Sequence, residues 1–536
     1  MENIFPVRIV AEHGVLNAEN LLKHKTLQIG LSEVDQVFFD KNSYVILDYG
    51  KEYSGSLRFI SFLTSGAGKI RVRLGESVSE VCHDIGEKNA TNDHSARDWT
   101  FFVPNYSDQT FLNSGFRFAR IDLLEDTTLN VKSIVCKSDM YEKEFDGSFR
   151  CSDERINEIF DVAAYTFRLC IHNDMIWDGV KRDRLVWIGD LHPEQMTADC
   201  LYENTDFIRN SISFAKDQTV LPKWMNDMPT YSLWWIINLR DYYFRTGDKK
   251  FVEQFGDYLV ATLKQIDGCV KDNGETALPF NFIDWPSHPK TPDETVKVHD
   301  ETAGVHALIY WCMNCTKDLL SAIDRPCDIA DSILVKLSKI SYSVKQFKQI
   351  SAIRLMAGIG DEKDVGLILK NGAEGLSTFM SYYLFRSISD KGYGKEAVSM
   401  MKEYYGKMLD LGATTFWEDF DIKWAENAGR IDEIPEKGKV DIHADKGAFC
   451  YVGLRHSFCH GWSSGVVPFL IRYVAGIEEV GVGGKEIVVK PDLCGLGFVD
   501  VVYPLASGKV YIKIRNENGK TITEVKAPEG IKVTVL

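Results

Sequence analysis

From about residue 150 to residue 475 the apolar residues of this chain recur at helical spacing, segment after segment, with short turns between them. Readable helices run over 156–169, 194–215, 231–245, 250–270, 302–323, 329–341, 345–357, 377–388, 395–411 and 465–475. Antiparallel helix pairs with no strand between them exclude the alternating βαβ layouts and leave a closed helical toroid or a solenoid. No fixed repeat length favours the regular solenoid. On either side the period changes to two. Tyr44–Asp48, Leu57–Phe62, Lys69–Leu74, Phe116–Leu123 and Thr128–Val131 predict a β-sandwich before the helices, and Glu486–Lys490, Lys509–Ile514, Thr521–Val525 and Lys532–Leu536 predict a smaller one after them. The fold class is mainly α with β modules, divided at 1–145, 146–475 and 476–536. The polar stretch from Glu87 to Asp98, which includes Asn92, Asp93 and His94, reads as an exposed loop of the first sandwich.

Composition narrows the partners. A formal charge of -15 and a sequence pI near 5.4 argue against a nucleic-acid footprint or a basic membrane patch. No segment reaches the ~18 uninterrupted apolar residues of a membrane span, and no basic, then apolar, leader opens the chain. The expectation is a cytoplasmic protein with small-molecule partners; a homodimer is the default assembly. The 12 cysteines are scattered singly among apolar neighbours, as reduced buried thiols are. Cys312 and Cys315 are spaced as a pair, but no second pair stands nearby to complete a four-ligand zinc site. No metal and no cofactor is expected.

Chemistry concentrates between the helices. The stretch Asp178-Gly-Val-Lys-Arg-Asp-Arg-Leu-Val-Trp-Ile-Gly-Asp190 packs three carboxylates, three cations and Trp187 into thirteen residues, broken by two glycines. A solvated helix face would spread such charges at helical spacing. Two readings stand on the residues alone. One is the lip of a pocket, where carboxylates beside Arg182 and Arg184 stay ionised and one set against apolar surface keeps its proton. The other is a structural ion-pair cluster at a helix start, with Asp190 as N-cap. Three further segments join a tryptophan to Asp, Glu or His: Phe282-Ile-Asp284-Trp285-Pro286, Thr414-Thr-Phe-Trp417-Glu418-Asp-Phe-Asp421 and His456-Ser-Phe-Cys-His460-Gly-Trp-Ser-Ser-Gly465. Sugar hydrolysis needs two carboxyl groups from opposite sides of the glycosidic bond, one protonated and one ionised. Carboxylates on separate segments supply that. Glu418 as a helix cap, His460 as a core histidine, and Trp187 and Trp285 as core aromatics are the competing structural roles. Trp234 and Trp235, adjacent on one helix, read as core, and His172, His192 and His456 as structural.

The segment Asp178–Asp190 resembles the diagnostic stretch of glycoside hydrolase family 78, the bacterial α-L-rhamnosidases: an Asp, then Arg-Glu-Arg or Arg-Asp-Arg, then Trp-x-Gly-Asp. Thr414-Thr-Phe-Trp-Glu418 and His460-Gly-Trp-Ser-Ser-Gly465 resemble two later motifs of that family, in the family's order. The resemblance implies an (α/α)6 barrel flanked by β-sandwiches, and hydrolysis of terminal α-L-rhamnose from small rhamnosides with inversion at the anomeric carbon. It places Asp183 at the general-acid position and Glu418 at the general-base position. Asp178, Arg182, Trp187, Asp190 and His460 fall at sugar-binding positions, joined by Asp284, Trp285 and Trp417. The chain departs from many relatives in one place: Asp183 stands where they carry the longer Glu. Inversion implies carboxyl groups about 6.5–9.5 Å apart. Two rival functions stay open, an (α/α)6 glycosidase for another terminal sugar and a silent sugar-binding protein of the same fold.

Overall fold

The computed structural model describes residues 2–32, 34–65, 68–448 and 451–536. Seven antiparallel strands build the N-terminal unit around one long, bent strand, Val37–Thr64, which pairs with Arg8–Leu16, Asp108–Leu123 and Leu129–Ser138 along different parts of its length. Register shifts after Asp48 and Gly55 bend it. The alternating apolar residues that predict these strands face inward, where Val45, Leu47, Leu57, Phe59, Val72, Ile121 and Val131 form a core of their own.

Some helices are buried on nearly all sides, whereas others, such as Asp206–Asp217 and Asp328–Leu337, bury one stripe. Every residue of the helix Leu191–Leu201 is buried, and Pro229–Thr246 buries Trp234 and Trp235, as their reading as core requires. Helices buried all round lie inside the body, and Leu191–Leu201 is so although it carries His192, Glu194, Gln195 and Asp199. Pro229–Thr246 packs on Thr295–Ala322, which packs on Lys348–Met356, which packs on Ser381–Ser389, which packs on Gly394–Asp410. Gly394–Asp410 then returns to the first long helix, Glu154–Leu169. Two segments that read as single helices are broken. Residues 194–215 divide into Leu191–Leu201 and Asp206–Asp217, and 250–270 divide into Lys249–Glu253 and Gly256–Asp267. A short helix, Glu362–Leu369, opens on a capping box at Asp361 and Asp364 that periodicity alone does not reveal.

Two small sheets follow. Ile477–Val480, Glu486–Val489 and Lys532–Val535 form one, and Phe498–Leu505, Gly508–Glu517 and Lys520–Lys526 form the other. The second recruits Ser148–Cys151, the strand that leads into the first helix, so the segments before and after the helical region share one sheet. Val499, Val501 and Ile512 join the helical core, whereas the N-terminal sandwich keeps a separate one. Among the described residues no helix is long and apolar enough to cross a membrane, and the described cysteines are all free thiols.

Candidate active site

The segments that precede the buried helices converge on one cavity of about 180 Å³. Asp178, Asp183, Trp187, Asp190, Trp285, Glu418 and His460 line it, together with Met228, Tyr231 and Trp462. The volume is below the roughly 300–1,000 Å³ of a typical ligand site and suits one sugar unit better than a chain. A larger cavity, about 490 Å³, lies at the opposite ends of the same helices, lined by Arg240, Arg245, Arg386, Arg472 and Glu479 among others, and none of the sequence-predicted site residues reaches it.

Local backbone contacts fold the Asp178–Asp190 stretch back on itself. Asp178 N donates to Leu185 O at 3.0 Å, and Leu185 N donates to the Asp178 carboxylate at 2.9 Å. Gly461 N donates to Asp178 O at 2.7 Å, which ties this loop to the His460 segment. Within the fold-back Asp183 and Arg184 take left-handed backbone angles, φ 54° and 57°. Such angles are uncommon outside glycine and cluster at functional sites. Asp190 precedes the helix Leu191–Leu201 but does not cap it with its side chain. Its carboxylate instead accepts from Tyr231 Oη at 2.8 Å. Gly189 makes that contact possible, because a Cβ there would stand 2.4 Å from the Tyr231 ring.

Arg182 joins the two halves of the site. It donates from Nη1 to Asp183 Oδ1 at 2.8 Å, from Nη2 to Glu418 Oε2 at 2.6 Å, and from Nε to Arg455 O at 3.1 Å. Glu418 is therefore no helix cap. It is buried, with Ser457 N as a second donor at 3.3 Å, while its own carbonyl accepts from Trp462 Nε1 at 2.9 Å. His460 Nε2 stands 3.6 Å from Asp178, 3.8 Å from Glu418 and 3.9 Å from Asp190, central among three carboxyl groups.

So many acids in one small volume cannot all ionise. Burial pushes Asp178 and Asp190 well above the usual carboxylate range, and their neighbouring acids push the same way. Burial also raises Glu418, but Arg182 and Ser457 N pull it back. The same burial holds His460 well below its ordinary value, so its ring is neutral. Burial therefore pushes Asp178 and Asp190 toward their protonated forms, while at Glu418 the guanidinium of Arg182 opposes that push. General acid and base catalysis needs that division.

Three predicted residues lie outside the cavity. Trp417 is buried and stacks on Phe458 at 4.1 Å between ring centroids, so it is a core aromatic that backs Glu418. Asp284 is buried behind Trp285, accepting from Trp285 N at 2.8 Å and from Ser377 Oγ. Arg182 acts on the lining carboxylates from beneath them. Sequence reasoning also passed over residues that do line the cavity. Tyr231 read as the start of a helix, Met228 fell outside every segment singled out, and Trp462 sat within a motif without a role. His172, His192 and His456 have structural partners: His172 stacks on Trp177, His192 bonds Tyr383 and Asp241, and His456 accepts from Asp419 N. The loop read as exposed is only partly so. Ser95, Arg97 and Asp98 are buried, and His94 reaches Asp183.

One cluster resembles a cation site. Glu76, Glu80 and His443 bring three buried ligand atoms together, yet Lys181 Nζ lies 3.1 Å from both glutamates and 3.4 Å from the histidine. The ammonium takes the place an ion would need. Cys312 and Cys315 are buried in the helix Thr295–Ala322.

Residues 144–323 match the family model described as the bacterial α-L-rhamnosidase six-hairpin glycosidase domain. The fold is shared with a family 78 rhamnosidase of Bacillus sp. GL1 at a TM-score of 0.77 and 19% identity, covering 97% of this chain and 55% of that one. A rhamnosidase from Klebsiella oxytoca, solved with rhamnose bound, gives 0.66 and 18%, covering 88% of this chain and 95% of that one. The α-L-rhamnosidase of Streptomyces avermitilis, complexed with L-rhamnose, gives 0.67 and 15%, covering 92% and 48%. The chain thus spans about half the length of the Bacillus and Streptomyces proteins. No curated protein matches it. The fold and the matched domain are those of a glycoside hydrolase. Within that class the chain is similar to the bacterial α-L-rhamnosidases of family 78, as its three motifs indicate.

Proposed function

We propose that this protein is an inverting α-L-rhamnosidase that removes terminal non-reducing α-L-rhamnose from small glycosides, with Asp183 as general acid and Glu418 as general base. One observation carries the reading: two carboxylates more than two hundred residues apart in sequence line one cavity and share a single buried guanidinium. The helical region is read as an (α/α)6 barrel, supported by the return of Gly394–Asp410 to Glu154–Leu169, which ring closure requires. A cytoplasmic location and a homodimeric state belong to the same proposal.

In this mechanism the sugar packs its apolar face on Trp187 or Trp285, and its hydroxyls meet Asp178, Asp190 and His460. Asp183 gives a proton to the glycosidic oxygen as the bond to the anomeric carbon breaks. Glu418, paired with Arg182, takes a proton from the water that attacks the opposite face. The indoles, Met228 and Trp462 give the C5 methyl of a 6-deoxy sugar an apolar wall, which a hydroxymethyl group would lose hydration to enter. Asp178 and Asp190, driven toward their protonated forms by burial, favour a second reading in which one of them is the acid.

The test is hydrolysis of p-nitrophenyl α-L-rhamnoside followed by proton NMR from the first minutes. The β-anomer of free rhamnose should form first. Initial formation of the α-anomer would refute inversion, and release of nitrophenol from other glycosides alone would point to another terminal sugar. An Asp183→Asn variant as active as the native protein would transfer the acid role to Asp178 or Asp190.

A further inference from the structure

Three consecutive residues of the N-terminal β-sandwich are tied, one by one, to three consecutive residues of the Asp178–Asp190 stretch. Asp93 pairs with Arg455 at 3.0 Å, and the carbonyl of Arg455 accepts from Arg182 Nε at 3.1 Å. His94 Nδ1 accepts from Asp183 N at 2.6 Å and lies 2.8 Å from Asp183 Oδ1. Ser95 Oγ donates to Asn113 O at 2.8 Å, and the side-chain oxygen of Asn113 accepts from Arg184 Nη2 at 2.6 Å. Asn92 closes the loop behind them, its side-chain oxygen accepting from Arg97 N and Asp98 N. A wall held in this way needs little further ordering when a ligand arrives.

The place of this wall beside the acid decides what meets it. The cavity suits one sugar unit, and Asp183 lines it whereas residues 93–95 do not. A general acid must reach the glycosidic oxygen, the atom that joins that sugar to its leaving group. With the terminal sugar in the cavity, the leaving group therefore emerges past Asp183. Arg182, 2% exposed, closes the buried side of that carboxylate, and His94, 39% exposed, stands on the side open to water. The neighbouring Asp93 and Arg455 side chains are partly exposed as well. An imidazole and a carboxylate–guanidinium pair offer hydrogen-bond donors and acceptors. The hydroxyls of a second sugar match them, whereas a flat apolar leaving group would strip their water and replace none of its bonds.

We propose that residues 93–95 form the wall of the leaving-group subsite, that His94 and the Asp93–Arg455 pair contact the substrate there, and that a second sugar unit is its occupant. This deepens the rhamnosidase reading and rests on Asp183 as the acid. The two units of the fold then divide the substrate between them. The helical region grips the terminal sugar, and the N-terminal sandwich selects what that sugar is attached to.

The experiment is calorimetric binding to the full chain, which does not depend on turnover. The ligands are free rhamnose, p-nitrophenyl 1-thio-α-L-rhamnoside and a set of sulfur-linked rhamnosyl-glucose disaccharides, one for each glucose hydroxyl. At least one disaccharide should bind the native protein more tightly than rhamnose or the nitrophenyl ligand. His94→Ala and Asp93→Ala should each weaken that disaccharide by ~10-fold, about the worth of one hydrogen bond to a charged or strongly polar group, with the Kd of rhamnose changed by less than about twofold. His94→Gln, which keeps an amide donor and acceptor, should recover part of the loss. Equal weakening of rhamnose and disaccharide would reduce the loop to a prop for the whole pocket, and unchanged disaccharide binding in both alanine variants would also overturn the subsite. A nitrophenyl ligand that binds as tightly as the best disaccharide and depends as much on His94 would overturn the sugar as occupant. A native protein that neither binds rhamnose nor hydrolyses p-nitrophenyl α-L-rhamnoside would instead refute the rhamnosidase reading. An active native protein with an unimpaired Asp183→Asn variant would remove the acid role and, with it, the argument for the subsite.

Discussion

Arg182 donates to Glu418 at 2.6 Å with both side chains almost wholly withdrawn from water, 2% and 3% exposed. Burial raises the Glu418 carboxyl above its ordinary value, and the Arg182 guanidinium opposes that rise by charge and by hydrogen bond. One guanidinium therefore fixes the position of the proposed base and favours its ionised form. Its second Nη holds Asp183, so the site's two halves are registered by one side chain.

Removing one member of such a pair leaves an uncompensated buried charge, which costs about 3–5 kcal/mol. Arg182→Met should lower stability in urea unfolding by that amount. Combining it with Glu418→Gln should recover much of the loss, because neither charge is then present. Additive losses in the double variant would show that the pair is not the source.

Asp183→Asn and Glu418→Gln should each lower kcat on methyl α-L-rhamnoside by about 10²–10⁴-fold, the range of general acid or base catalysis. Asp183→Glu should keep more activity than Asp183→Asn. The longer acid must share Arg182 and His94 from a backbone set for Asp, so its rate should lie between the two. An Asp183→Glu variant as inactive as Asp183→Asn would show that the left-handed geometry at this position admits only the shorter acid.

Much of this was legible in the chain. The change of period near 146 and again near 476 gave the order of the units, because strands and helices bury faces at different spacings. The cavity-lining acids were legible too, since Asp178–Asp190 makes no sense as an ordinary helix face. Arg182 was placed among the sugar contacts, but its position beneath the carboxylates depends on the distant Glu418 segment. Tyr231 and Trp462 carry no local signal, because aromatic residues in buried helices look alike whether or not they line a cavity. His94 was hidden for the opposite reason: a polar, turn-rich loop reads as solvent-facing, and only tertiary packing brings it to Asp183.

Trp285 presents the clearest aromatic wall that is not also tied to the Asp178–Asp190 loop. Trp285→Ala should weaken rhamnose binding and narrow the preference for p-nitrophenyl α-L-rhamnoside over the α-L-mannoside. A pocket that separates sugars by a methyl against a hydroxymethyl group is expected to discriminate by only ~10–200-fold, so the loss should be of that order or less. An unchanged ratio of kcat/KM values would place the C5 substituent elsewhere, against Met228 or Trp462.

The behaviour of Asp284 with pH follows from its burial. Its carboxyl is raised from 3.8 to about 7, chiefly by desolvation, while the hydroxyl of Ser377 and Trp285 N pull the other way. A group that binds its proton more tightly in the folded state stabilises the fold fully below its unfolded value, and that contribution disappears as pH rises through the folded value. The native protein should therefore lose stability relative to Asp284→Asn between pH 4 and about pH 7, and no further above it. Asparagine can still accept from Trp285 N and donate to Ser377, so the two proteins should be nearly equal at pH 4. A rise from 3.8 to about 7 corresponds to at most ~4 kcal/mol, and relaxation around the charge reduces it. Urea unfolding of both proteins across this range gives the difference directly. Parallel stability curves would mean that Asp284 titrates as an ordinary carboxylate and is hydrated in solution.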